Sequence, residues 1–333
     1  MSKTWTGEQP APAPPATLPR MIATSVVRAT NQGESHGGVY LVDLLGGGFE
    51  QVIDWNEASI SWEGRGADRG LRGIAFHEDR VLLAASDEIF VYDREFRLIG
   101  SHRNRYLKHC HEIAVDGDQL YMTSTGFDSI LVLDLGSGRF REGHCLRFGR
   151  RHRLAKRAGR RPVPSYRQFD PEAAGGPEPA DTTHLNSVVV SDGTIYACGT
   201  KVGHLLAVRD GRITSHAVTP YHTHNARPFD GGALLNQTGS DRICIIERNG
   251  TLRESHAVPR YPSELLTNVL GEERARQGFG RGLTTLDGGA FIVGGSSPAT
   301  VSLYARSNDE PIASVNLTMD VRNAIHGLEA WPF

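Results

Sequence analysis

Short apolar runs alternate with turn residues along the whole chain, and they recur in a fixed order. A polar cluster leads into a first apolar strand, as in Lys108-His109-Cys110-His111-Glu112-Ile113-Ala114-Val115. The unit returns at His184-Leu185-Asn186-Ser187-Val188, at His222-Thr223-His224-Asn225-Ala226 and at Ile325-His326-Gly327-Leu328. Arginine takes the histidine's place in Leu71-Arg72-Gly73-Ile74 and Gly280-Arg281-Gly282-Leu283. A turn such as Ser191-Asp192-Gly193 or Asp230-Gly231-Gly232 then introduces a second strand, a third apolar run and a more polar fourth. Turn residues of this kind between β runs mark hairpins. Arg72 to His111 is a step of 39 residues, and Asn186 to Asn225 is again 39. Four antiparallel strands in about 40 residues form the blade of a β-propeller.

The pattern predicts an all-β, six-bladed propeller. Five blades are continuous, at 69–107, 108–181, 182–221, 222–278 and 279–322. The sixth is composite: 324–331 supplies its inner strand, and 21–28, 38–44 and 49–55 supply the other three. Pairing of N-terminal strands with the C-terminal strand closes the ring and leaves no open edge. Residues 21–333 are therefore expected to form one domain, and the Pro-rich stretch 1–20 a disordered leader.

Two segments break the rhythm. Residues 147–181 form an insertion whose first part, 147–161, holds eight Lys or Arg and no acid. It reads as a solvated loop, with a lid over the propeller mouth or an anion-binding arm as the sharper alternative. In 262–277, Leu265, Leu266, Val269 and Leu270 have helical spacing behind a capping Ser263.

Composition narrows the function classes. The formal charge is -2, so no bulk attraction to nucleic acid or an anionic membrane is expected, and no apolar run is long enough to cross a bilayer. The four widely spaced cysteines suit reduced thiols in a cytoplasmic protein better than a disulfide framework.

In a propeller the first strand of each blade lines the central channel, so equivalent positions face one another. That ring would hold Arg72, His111, His184 or Asn186, His224 or Asn225, Arg281 and His326. Neutral imidazoles converging on one axis make a first-row transition-metal site, since each offers a lone pair and needs no compensating charge. His111, His184, His224 and His326 are the expected ligands, with His109 and His222 as substitutes. The expected ion is iron or zinc, with copper as an alternative; calcium and magnesium prefer oxygen ligands. A histidine in such a repeat is ordinarily a hydrogen-bonded core residue, but four at matching positions out of 14 favour ligation.

Arg72 and Arg281 offer a bidentate fork to an anionic or strongly polar small substrate, with Asn186 and Asn225 as further substrate-binding candidates. Either arginine could instead pair with Glu112 or Glu329. Glu112 is a catalytic candidate, though strand alternation turns it away from the side that His111 faces. Tyr166 and Tyr221 are weaker candidates for proton donation near the mouth.

The phrase His-Glu-Ile-Ala-Val-Asp-Gly-Asp-Gln-Leu-Tyr at 111–121, with His326-Gly327-Leu328, resembles the repeat of NHL-type propellers and their enzyme relatives. Those relatives are streptogramin lyases, peptidyl-amidoglycolate lyases and gluconolactonase-like proteins. The resemblance implies the propeller and, through the lyases, axial histidines with a divalent metal. Gluconolactonases use mainly acidic and asparagine ligands for calcium, and the histidine-rich hub is closer to the lyase pattern. Four axial histidines are also similar to the iron site of carotenoid-cleaving oxygenases, but those have seven blades. The expected function is a metal-dependent lyase or hydrolase acting on a small polar or anionic molecule. A non-haem iron or copper oxidant using the same histidines and a non-catalytic binding propeller are the alternatives.

Overall fold

The computed structural model describes residues 15–31, 33–56, 70–269 and 275–333. Most of the expected leader, and residues 270–274 of the expected helix at 262–277, lie outside these residues. The described chain forms six antiparallel sheets. Their inner strands are Ile74–His77, Ile113–Asp116, Leu185–Ser191, Thr223–Phe229, Gly278–Leu286 and Asn323–Ala330, which define blades 1 to 6. Each inner strand touches the next, and the sixth touches the first, so the ring is closed.

Closure comes from the ends of the chain. Met21–Val27 pairs antiparallel with Asn323–Ala330, from Met21 opposite Ala330 to Val27 opposite Asn323. Gly38–Asp43 and Gly48–Asp54 complete blade 6. Because the two ends are stitched into one sheet, neither strand is left as an unpaired template.

The apolar core is a set of wedges between blades. Ala75, Leu82 and Ile89 of blade 1 pack against Leu120, Met122 and Leu131 of blade 2, and Leu234 and Ile245 of blade 4 pack against Leu283 and Ile292 of blade 5. The same happens across the seam, where Ile22 and Val39 meet Leu83 and Phe90. Both faces of each sheet are therefore covered, which explains third strands such as Ile89–Tyr92 and Ile130–Leu133 that are apolar without alternation. Asp192-Gly193, Asp210-Gly211 and Asp230-Gly231 all have positive φ at both residues, the geometry of the type I′ hairpin turn.

The basic insertion departs from the loop expectation. Arg150–Arg157 is an α-helix with Lys156 and Arg157 in its last turn, where cations suit the helix dipole. Ser165–Phe169 then adds a fifth strand to blade 2 by pairing with Arg139–Arg147. Arg161 donates to the Thr219 carbonyl at 2.7 Å, and His204 Nε2 meets the Arg161 carbonyl at 2.9 Å. The segment is thus strapped to blade 3. Among the described residues of 262–277 a single 3-10 turn forms, Ser263–Leu265, before Thr267 bridges to Asp320. Docking of this short segment on blade 5 overrides its helical spacing. Among the described residues no helix is long and apolar enough to cross a membrane.

Candidate functional site

The inner strands of a propeller all run the same way along the channel, so their first residues gather at one mouth. Two of the histidines arrive there by one local device. His109 and His222 adopt left-handed backbone conformations, with φ of 55° and 62°, and this bend turns the residue two places on toward the axis. His111 Nδ1 lies 2.8 Å from the His109 carbonyl and 3.0 Å from Thr125 Oγ1. A carbonyl can only accept, so Nδ1 carries the proton and the Nε2 lone pair faces inward.

His224 repeats the arrangement. Its Nδ1 meets Thr238 Oγ1 at 3.2 Å, and the Thr238 hydroxyl donates to the His222 carbonyl at 2.8 Å. His224 is 5% exposed, and its buried Nε2 has no hydrogen-bond partner among the described residues. The carbonyls of His109 and His222 thus belong to the anchoring of the rings that follow. His184 Nδ1 is held by the Asp181 carboxylate at 2.8 Å, and Asp181 also pairs with Lys201 at 3.1 Å.

The structure brings His111, His184, His326 and Arg72 of the predicted ring near one another. The His111 ring lies 5.5 Å from His184 and 6.5 Å from His326, centre to centre, and Arg72 Nη1 is 3.3 Å from His111 Nε2. Arg28 and Arg281 both stack over the Phe279 ring, at 4.3 and 4.7 Å, and Phe279 is 6.2 Å from the His224 ring. Burial is the main reason that His111, His224 and His326 have pKa values well below the usual imidazole range. Arg72 and Arg281 push the same way on His111 and His326, and Arg281 on His224. These imidazoles are neutral at physiological pH, the state in which they donate lone pairs.

The donor chemistry suits a transition metal, because an imidazole held through Nδ1–H presents Nε2 for ligation. The spacing is looser than that chemistry requires. Among the described residues no three His, Cys, Asp or Glu side chains are grouped closely enough to hold a metal ion, and a guanidinium stands at His111 Nε2. Cys110 contributes nothing to such a site: its sulfur is buried against Thr123, and burial pushes its thiol up to about 12.

Other expected site residues lie elsewhere. Glu112 sits further along the channel, where it accepts a hydrogen bond from the Asn225 amide. Asn225 Oδ1 accepts from the Gly282 backbone and from Asn236, both at 3.1 Å, so this side chain ties blade 4 to blade 5. Asn186 donates to the Thr223 carbonyl at 3.0 Å, which ties blade 3 to blade 4; its Oδ1 has no partner among the described residues. Tyr166 bonds His144 at 2.9 Å on the outer part of blade 2, and Tyr221 faces Lys156 and Arg161 beneath the insertion. Neither tyrosine is placed to donate a proton at the mouth.

Arg28, Phe279, Arg227, Asp181 and the anchoring threonines were not legible as site residues. Arg28 follows the second strand of a composite blade, and Phe279 precedes the repeat position, so no alignment of units brings them forward. The threonines did leave a signal in the Thr125-Gly126 and Thr238-Gly239 pairs that close two second strands.

The chain is a six-bladed β-propeller. No family model matches the sequence, and no curated protein matches it either. Among solved structures, a protein of unknown function from Bacteroides caccae aligns over 93% of this chain and 98% of its own, at 8% identity and a TM-score of 0.53. A streptogramin B lyase aligns over 72% of this chain and 69% of its own, at 13% identity and a TM-score of 0.42. The periplasmic gluconolactonase of Pseudomonas aeruginosa aligns over 85% and 79%, at 14% identity and a TM-score of 0.45. Likeness at these identities concerns the fold, and the reaction has to be argued from the mouth.

Proposed function

We propose that this propeller is a cytoplasmic lyase or hydrolase that takes a small anionic or strongly polar molecule at its histidine mouth. In this reading a divalent transition ion, iron or zinc, with copper as the alternative, is held through Nε2 of His111, His184, His224 and His326. The observation that carries it is the Nδ1 anchoring of His111, His184 and His224, which leaves Nε2 as the ligating atom, buried and unbonded in His224 and met by Arg72 in His111. When bound, such an ion polarises a carbonyl or phosphoryl oxygen, or lowers the pKa of a water.

The chain's own residues would do the rest. Arg72 and Arg281 hold a carboxylate or phosphate by paired N–H donors and set its orientation against the histidines. Phe279, flanked by Arg28 and Arg281, walls one side of the mouth and limits water there. A propeller that binds an anion here without chemistry is the second reading, favoured by the lack of a three-donor group among the described residues.

Metal analysis of the purified protein separates the two. The first reading expects iron or zinc at about one per chain, lost in His111→Ala and His224→Ala. Metal-free protein that stays metal-free when titrated with zinc and iron(II), yet binds a small dicarboxylate, would leave only the second.

A further inference from the structure

At its far end the channel opens into a second chamber of about 270 Å³, built from the later residues of the inner strands. Its polar groups are Glu112, Glu329 and Arg227, and its walls are apolar, among them Phe76, Ala114, Val189 and Leu328. Arg227 Nη2 lies 3.7 Å from Glu329 Oε1, a loose contact, while Glu329 Oε2 accepts from the Thr284 hydroxyl at 3.0 Å. Glu112 is held on its other side by the neutral amide of Asn225. Two carboxylates thus share one guanidinium, and the remaining bonded side chains, Thr284 and Asn225, are uncharged.

We propose that this chamber binds a small organic cation, a primary ammonium on a short apolar body. With Glu112 ionised, which burial delays to about pH 7, one further positive charge balances the two carboxylates, and an ammonium supplies three N–H donors to their oxygens. The apolar walls argue for an alkyl group behind that charge. A hydrated divalent ion is a poor match, since calcium takes six to eight oxygen ligands and the lining provides only two carboxylates. The histidine mouth presents guanidiniums and neutral imidazoles, so the two ends of one channel select opposite charges.

The test is calorimetric titration of the full-length protein with n-butylammonium, and in parallel with butyrate, n-butanol and calcium chloride. Butylammonium is expected to bind, and the other three probes to bind at least about tenfold more weakly or not at all. Glu329→Gln and Glu112→Gln should each weaken butylammonium by about tenfold or more. Arg227→Gln should tighten it, a change of opposite sign that misfolding cannot mimic. His111→Ala should leave it unchanged, which keeps this outcome separate from the fate of the histidine mouth. Preference for butyrate or calcium, or butylammonium binding that ignores Glu329→Gln and Glu112→Gln, overturns the proposal.

Discussion

His111 and Glu112 are neighbours in the chain and serve opposite ends of one channel. The imidazole meets Arg72 Nη1 at 3.3 Å in the histidine mouth, while the carboxylate lines the far chamber with Arg227 and Glu329. Strand alternation separates them, and the common direction of the inner strands extends that separation around the whole ring.

The anchoring threonines should tune the histidines without touching a ligand. Thr238→Val removes the acceptor of His224 Nδ1–H, and Thr125→Val removes one of the two acceptors near His111 Nδ1–H, leaving the His109 carbonyl, together with the Thr125 bond to the Leu185 carbonyl. If zinc binds at the mouth, its affinity should fall by about tenfold to a hundredfold in either variant. Zinc titration against a competing chelator measures this.

Close approach at the seam makes Gly327 hard to replace. A Cβ there would lie 2.1 Å from the Arg72 carbonyl oxygen and 2.7 Å from Thr24 Oγ1. Thr24 is the latch at this point, donating to the Arg72 carbonyl and accepting from the Gly327 N–H at 2.8 Å. Gly327→Ala should cost about 1–3 kcal/mol, read from the urea unfolding midpoint.

Closure itself can be tested by ending the chain at Arg322. That truncation removes the inner strand Asn323–Ala330 and exposes the edge of Met21–Val27. Since an open edge invites pairing with other chains, size-exclusion chromatography should show aggregates, and calorimetry should show no cooperative transition.

Stability of the metal-free protein should fall on both sides of neutrality. Burial lowers the pKa of His144, His204 and His256 away from the mouth, as it does for His111, His224 and His326 within it. The unfolded chain takes up protons at the ordinary value of about 6.5, so it binds more protons than the folded state as pH falls through that point, and stability drops. Glu112 has the opposite sign. Burial raises it to about 7, so its contribution is fully present below its ordinary value and is lost as pH rises through about 7. Urea midpoints from pH about 5 to 9 should show both limbs, with Glu112→Gln flattening the alkaline one.

Much was determined by the sequence alone. Blade number and the composite sixth blade follow from a repeat whose turns demand Asp-Gly pairs and whose first strands begin with the same residue types. These are local properties, and a period of about 40 residues carries them without reference to the rest of the chain. Tertiary structure decided what local pattern does not encode. The insertion became a helix and a fifth strand because blade 3 gives it a flank to bind. His109 and His222 became backbone acceptors because each takes a left-handed bend two residues before His111 and His224. Arg28, Arg227, Phe279 and Glu329 reached the channel from places in the chain that only ring closure brings together.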